Sequence, residues 1–172
     1  MTEALTGRRE LIAGSLLAAL PLMLAAGRAA ASPIDPDQTI VRLPDQITWH
    51  RQPDFPPDSV EMAPLFGATT EPGLYLVLVK WHPGYMSAPH SYVTDRLCVV
   101  VSGTWWVNSG ADFDPAHTIP APAGTFVRRV AHTPHYDGVK RDGTEPAVIA
   151  ICGIGPVGQT WLDPGKPGWR RV

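Results

Sequence analysis

The sequence is poor in charge of either sign. Only 17% of its 172 residues are Asp, Glu, Lys or Arg, the net charge is -2, and no block of like charges occurs. That excludes the basic footprint of a nucleic-acid binder and the polybasic patch of a membrane-surface protein, and leaves small molecules as the ligands to expect. Cysteine is nearly absent, Cys98 and Cys152 being the only two. Beyond residue 31 no apolar run is long enough to span a bilayer, so no stable membrane insertion is expected once the leader is removed. Internal repeats and low-complexity tracts are missing as well, and the length suits a single core.

What is plentiful is punctuation. Nineteen prolines and sixteen glycines argue against long helices and for short strands joined by turns, so the expected class is all-β. LYLVLVKWH, Leu74 to His82, is the clearest strand. Arg96 to Ser102 and Thr104 to Val107 read as two strands hinged at Gly103, with further strands at Thr125 to Val130 and Ala147 to Cys152. Thr39 to His50 alternates enough to suggest an early strand. Asn108 to Gly124, 17 residues rich in Gly, Asp, Ala and Pro, exceeds the usual connection length and predicts a lid or a compact surface loop.

Residues 1–31 read as a leader. Arg8-Arg9 precedes the apolar run Leu11 to Ala26, and Ala29-Ala30-Ala31 supplies small residues for cleavage ahead of Ser32. The paired arginines resemble a twin-arginine signal, which predicts a periplasmic or secreted bacterial protein. A proline-rich linker, residues 32–38, then leads into a domain over residues 39–164 and an irregular tail over 165–172. In an oxidising compartment Cys98 and Cys152 become disulfide candidates, provided their Cα atoms face each other within about 7 Å. The alternative is two small buried apolar side chains.

The chemistry concentrates in two stretches. Gly84, His90, Tyr92, Arg96 and Gly103 are separated by five, one, three and six residues, and Gly124 is followed by five residues, Val130, and then His132 and His135. This spacing resembles the two cupin motifs, G(X)5HXH(X)3-4E(X)6G and G(X)5PXG(X)2H(X)3N. The segments PLFGATTEPG, Val-Ser-Gly-Thr-Trp and Thr-Pro-His-Tyr around them are similar to one bacterial subfamily, the ChrR-like cupins. The resemblance covers roughly residues 40 to 164 and implies a single jelly-roll barrel, the double-stranded β-helix, often dimeric. It also implies one transition metal, Fe, Mn, Cu, Ni or Zn, held inside the barrel by two histidines and a glutamate of the first motif and a histidine of the second.

This chain keeps His90 and His135 but places Tyr92 at the second histidine and Arg96 at the glutamate. A guanidinium has five donors, no lone pair and a permanent charge, so Arg96 cannot be a ligand and opposes a nearby divalent cation. Tyr92 can ligate as phenolate, which an adjacent arginine favours by lowering its pKa, or it can be a packed ring. Asp95 replaces the glutamate only if a bulge turns it inward. His132, at the glycine of the second motif, either converges with His90 and His135 as a third imidazole or is a solvated turn residue. His50, His82 and His117 read as surface groups. Trp81, Trp105, Trp106 and Tyr136 are candidate pocket aromatics, with at most one of the adjacent tryptophans pointing inward.

Three functions stand open on these residues. One is a metal-dependent small-molecule enzyme, oxygenase- or isomerase-like, with His90, His135 and His132 or Tyr92 as ligands. The second is a metal-free module that binds an anion or sugar acid through Arg96, with Tyr92, His90 and His135 hydrogen-bonding the ligand. The third is a non-catalytic structural or interaction barrel.

Overall fold

The computed structural model describes Ile34, Asp35 and residues 37 to 172. The leader predicted over residues 1–31 lies outside them. The chain divides after Arg42, and the unit from Leu43 to Val172 carries the fold.

That unit contains thirteen strands: β1 (His50–Arg51), β2 (Val60–Phe66), β3 (Gly73–Trp81), β4 (Tyr85–Ser87), β5 (His90–Ser91), β6 (Arg96–Ser102), β7 (Thr104–Ser109), β8 (Ile119–Pro122), β9 (Phe126–Arg129), β10 (His135–Val139), β11 (Ala147–Gly155), β12 (Thr160–Trp161) and β13 (Trp169–Arg171). They form two antiparallel sheets. The first runs β1-β2-β3-β11-β6-β9, the second β12-β5-β10-β4-β13, with β7 pairing both β10 and β8. The all-β jelly roll expected from the sequence is the observed architecture.

Period-two alternation explains why these segments form strands with one buried face. Along β6, Arg96, Cys98 and Val100 are buried while Leu97, Val99 and Val101 are exposed. Tyr75, Val77, Val79 and Trp81 of β3 and Ile149 and Ile151 of β11 form the same inner face, and Trp105, Ala121 and Val139 of the second sheet pack against it. Each such Val or Ile buried from water contributes about 1.5–3 kcal/mol, so the shared interior holds the two sheets together. The turn between β6 and β7 depends on Gly103, whose φ is +70° and whose missing Cβ would sit 2.4 Å from the Pro146 carbonyl oxygen.

Several elements differ from the sequence reading. Of Thr39 to His50 only His50 enters a strand, because Pro44 starts a 3-10 turn, Pro44–Gln46. The long strand near that edge is β2, whose VEMAPLF pattern is interrupted by Pro64, tolerated beyond the reach of the two-residue β1 and beside a register shift between Pro64 and Phe66. The predicted 17-residue loop is shorter, since β7 extends to Ser109 and β8 pairs back onto it. What remains is pinned by Tyr136, whose hydroxyl accepts from the Asp114 amide at 2.8 Å and donates to the Asp114 carbonyl at 2.9 Å. The tail read as irregular contains β13, which pairs with β4. Cys98 and Cys152 are both free, and the registers Cys98 with Ile151 and Cys152 with Leu97 put them on opposite faces of the sheet, which rules out a disulfide.

Candidate functional site

The barrel encloses a cavity of about 110 Å³ whose lining includes His90, Tyr92, Arg96, His135, Arg129 and Asp137. A single backbone pairing unites the two motifs. His90 on β5 and His135 on β10 are direct cross-strand partners, so their side chains leave the same face of the sheet, and the two rings stand 4.5 Å apart centre to centre. Each Nδ1 is bonded to a backbone carbonyl two residues upstream, at 2.8 Å from Ala88 O and 3.0 Å from Thr133 O. Burial pushes both imidazoles below their ordinary pKa, and burial together with the Arg129 charge takes His135 down to about 3. Near neutral pH both rings are uncharged.

Tyr92 joins the imidazoles to the cationic end of the cavity. Its ring centre lies 5.0 Å from that of His90 and 5.6 Å from that of His135, and the Arg96 guanidinium carbon lies 4.2 Å from it on the other side of the contact chain. Burial raises the Tyr92 pKa and outweighs the downward pull of Arg96, so the phenol stays protonated. The phenolate ligand considered from the sequence is therefore not what this environment produces.

Arg96 is buried at 8% exposure and starts a row of residues that the sequence reading did not anticipate. Across β3, β11, β6 and β9 the direct partners are Tyr75, Gly153, Arg96 and Arg129. Gly153 has no side chain, and a Cβ there would meet the Tyr75 hydroxyl at 2.7 Å. That gap lets the hydroxyl reach across β11 and accept from Arg96 Nε at 3.2 Å.

Two buried guanidiniums thus sit directly opposite each other, an arrangement that costs stability unless anions offset it. One anion is present. Asp137, two residues beyond His135 and on the same face, pairs with Arg129 at 3.0 Å, accepts from the Trp105 indole at 3.1 Å, and its backbone amide donates to the Ser87 hydroxyl at 3.1 Å. Burial pushes the Asp137 carboxyl up, but the Arg129 charge prevails and holds it below the usual carboxylate range. None of the ion pairs among the described residues includes Arg96. Its side-chain hydrogen bonds are to neutral tyrosines, Tyr75 through Nε at 3.2 Å and Tyr92, neither of which brings a negative charge. With both histidines neutral, the charged groups lining the cavity are Arg96, Arg129 and Asp137, an excess of one positive charge.

The remaining sequence candidates fall elsewhere. His132 is exposed and takes no part in lining the cavity. Its φ is +60°, the left-handed region that favours glycine, and its exposed side chain does not join His90 and His135. The three-histidine site is corrected on that ground. Asp95 is not turned inward either; it accepts from Arg128 Nε at 2.8 Å and from the Ala131 amide at 2.8 Å on the surface side. Of the candidate tryptophans, Trp81 and Trp105 do line the cavity, while Trp106 lies under the Lys140 ammonium and does not. Tyr136 serves the loop and does not line the cavity.

The donor set does not fit a transition metal. Two imidazoles fall short of the three protein ligands of an open catalytic site, the next position carries a guanidinium, and Asp137 is committed to Arg129. Among the described residues no group of three or more His, Cys, Asp or Glu side chains is placed to hold an ion. Arg129 and Asp137 were missed by the sequence reading, although Asp137 carried a usable signal, its parity with His135. Arg129 had none until β9 was seen to pair with β6.

No family model and no curated protein matches the chain. Solved structures do. An RmlC-like cupin protein from Ralstonia eutropha JMP134 superposes with a TM-score of 0.56 at 16% identity, covering 78% of this chain and 76% of that one. The polyketide cyclase RemF from Streptomyces resistomycificus gives 0.55 at 14% identity, covering 73% and 89%. A cupin-2 domain from Rhodospirillum rubrum gives 0.54 at 15% identity, covering 77% and 86%. At these identities the likeness is one of fold. The chain has the cupin fold.

Proposed function

We propose that this protein binds a small anionic molecule inside the barrel, with the Arg96 guanidinium as the anchor for a carboxylate. One observation carries the reading: Arg96 is buried, opposite a second buried arginine, and no carboxylate among the described residues pairs with it. A buried cation without a charge partner is costly, and a ligand carboxylate supplies the missing charge. The polyketide cyclase RemF shares the fold, which fits a barrel that handles small molecules.

The test is thermal unfolding of the purified protein with and without small carboxylates and their neutral amides. Carboxylates raise the midpoint with concentration and amides do not, and the Arg96→Met variant loses the response. Equal behaviour of acids and amides, or a response that survives in Arg96→Met, removes the proposal.

A metal-dependent enzyme is the second reading, favoured by one feature: each imidazole uses Nδ1 for a backbone carbonyl, the tautomer that leaves Nε2 free to ligate. Elemental analysis of protein from its native location decides between them, since a stoichiometric transition metal lost in His90→Ala and His135→Ala supports the enzyme. Export to the periplasm, and membership in the ChrR-like subfamily, rest on the sequence features of residues 1–31 and of the flanking segments. Cell fractionation with N-terminal sequencing checks the former.

A further inference from the structure

The cavity sorts its hydrogen-bonding groups into a cationic donor and a pair of acceptors. A carbonyl oxygen has lone pairs only, so the Nδ1 atoms of His90 and His135 must each carry the ring proton. In that tautomer the neutral ring keeps its lone pair on Nε2. No hydrogen bond among the described residues uses either Nε2, and the buried unpartnered side-chain atoms are Thr94 Oγ1 and Arg129 Nε, so both Nε2 atoms open onto the cavity. The Tyr92 ring touches both imidazoles and the guanidinium, which keeps acceptors and cation within reach of one small molecule.

We infer, building on the anion-binding reading, that the ligand is a small hydroxycarboxylate: its carboxylate meets Arg96 and its hydroxyls donate to the Nε2 atoms of His90 and His135. A plain carboxylate would desolvate two acceptors and give them nothing. An amino acid would offer an ammonium donor but would add positive charge to a lining that already carries an excess of one. A hydroxyl donates without that charge. The cavity volume of about 110 Å³ lies well below the range for drug-sized ligands and limits the acid to a few carbons.

Isothermal titration of the full chain, in chelator and at neutral pH, with propionate, lactate, glycerate and alanine tests this directly. The four acids share a three-carbon skeleton and differ in donor count and charge. Affinity is expected to rise about tenfold for each hydroxyl that finds an acceptor, giving glycerate over lactate over propionate, with alanine no tighter than propionate. His90→Phe and His135→Phe should flatten the series while propionate binding persists, and the wild-type series stands on its own if either variant fails to fold. A flat series in which every acid binds overturns the hydroxycarboxylate and leaves the Arg96 anchor intact. Alanine as the tightest ligand, or binding that requires an added divalent metal, overturns it too. If no acid binds at all, the anion-binding reading falls with it.

Discussion

Arg96 and Arg129 are direct partners on neighbouring strands, both are less than a tenth exposed, and both line one cavity, yet their surroundings are unlike. Arg129 is closed in by Asp137 at 3.0 Å and the Asn108 carbonyl at 2.9 Å. Arg96 has neutral tyrosine partners and an aromatic face, and no ion pair among the described residues. The first guanidinium completes an internal ion pair and belongs to the architecture of the barrel. The second carries charge that no ion pair among the described residues compensates, and such a group is kept at the expense of stability when a bound partner makes use of it.

The comparison is broken most severely by taking the anion away from Arg129. Asp137→Asn leaves two unpaired cations face to face, and Arg129→Met leaves a buried carboxylate alone; each should cost about 3–5 kcal/mol in urea unfolding. A loss below about 1 kcal/mol in both would mean the two arginines are equivalent after all. Acid should act next, by adding charge to the same lining. His90 and His135 have folded pKa values below their unfolded ones, so the unfolded chain binds more protons, and stability falls as pH drops from about 6.5 toward the His135 value of about 3. The effect is on the order of a few kcal/mol, and its slope should shrink in His135→Phe when unfolding is followed across that range.

Arg96→Met sharpens the contrast from the other side. Removing the uncompensated cation should leave unfolding free energy within about 1 kcal/mol of the parent or raise it, while anion binding disappears. The smallest expected change is at the surface. His132→Gly relieves a left-handed backbone and should stabilise by about 0.5–1 kcal/mol with ligand affinity unaltered, whereas an altered affinity would place His132 back in the site.

How far the site was legible varied by residue. The spacing of Gly84, His90, Tyr92, Arg96 and Gly103 located one wall, and alternation along β6 put Arg96 on the inner face. His132 misled because spacing cannot reveal which face of a turn a residue takes, and in the fold it is exposed and outside the cavity lining. Tyr75 and Gly153 gave no local sign of their role, since a tyrosine and a glycine 78 positions apart become a hydrogen-bond path to Arg96 only when β3, β11 and β6 align in register.

The sequence by itself determined the class of the fold, the shared inward direction of positions 92 and 96 and the replacement of two expected metal ligands by Tyr92 and Arg96, because these follow from period-two patterning and side-chain chemistry, which are local. Only the tertiary structure decided that Asp137 answers Arg129 and not Arg96, that burial overrides the pull of Arg96 on Tyr92, and that His90 and His135 turn their free nitrogens to one cavity. Charge balance and desolvation depend on which groups are brought within a few ångströms of one another, and in a barrel closed by long-range strand pairing that is fixed by partners distant in the chain.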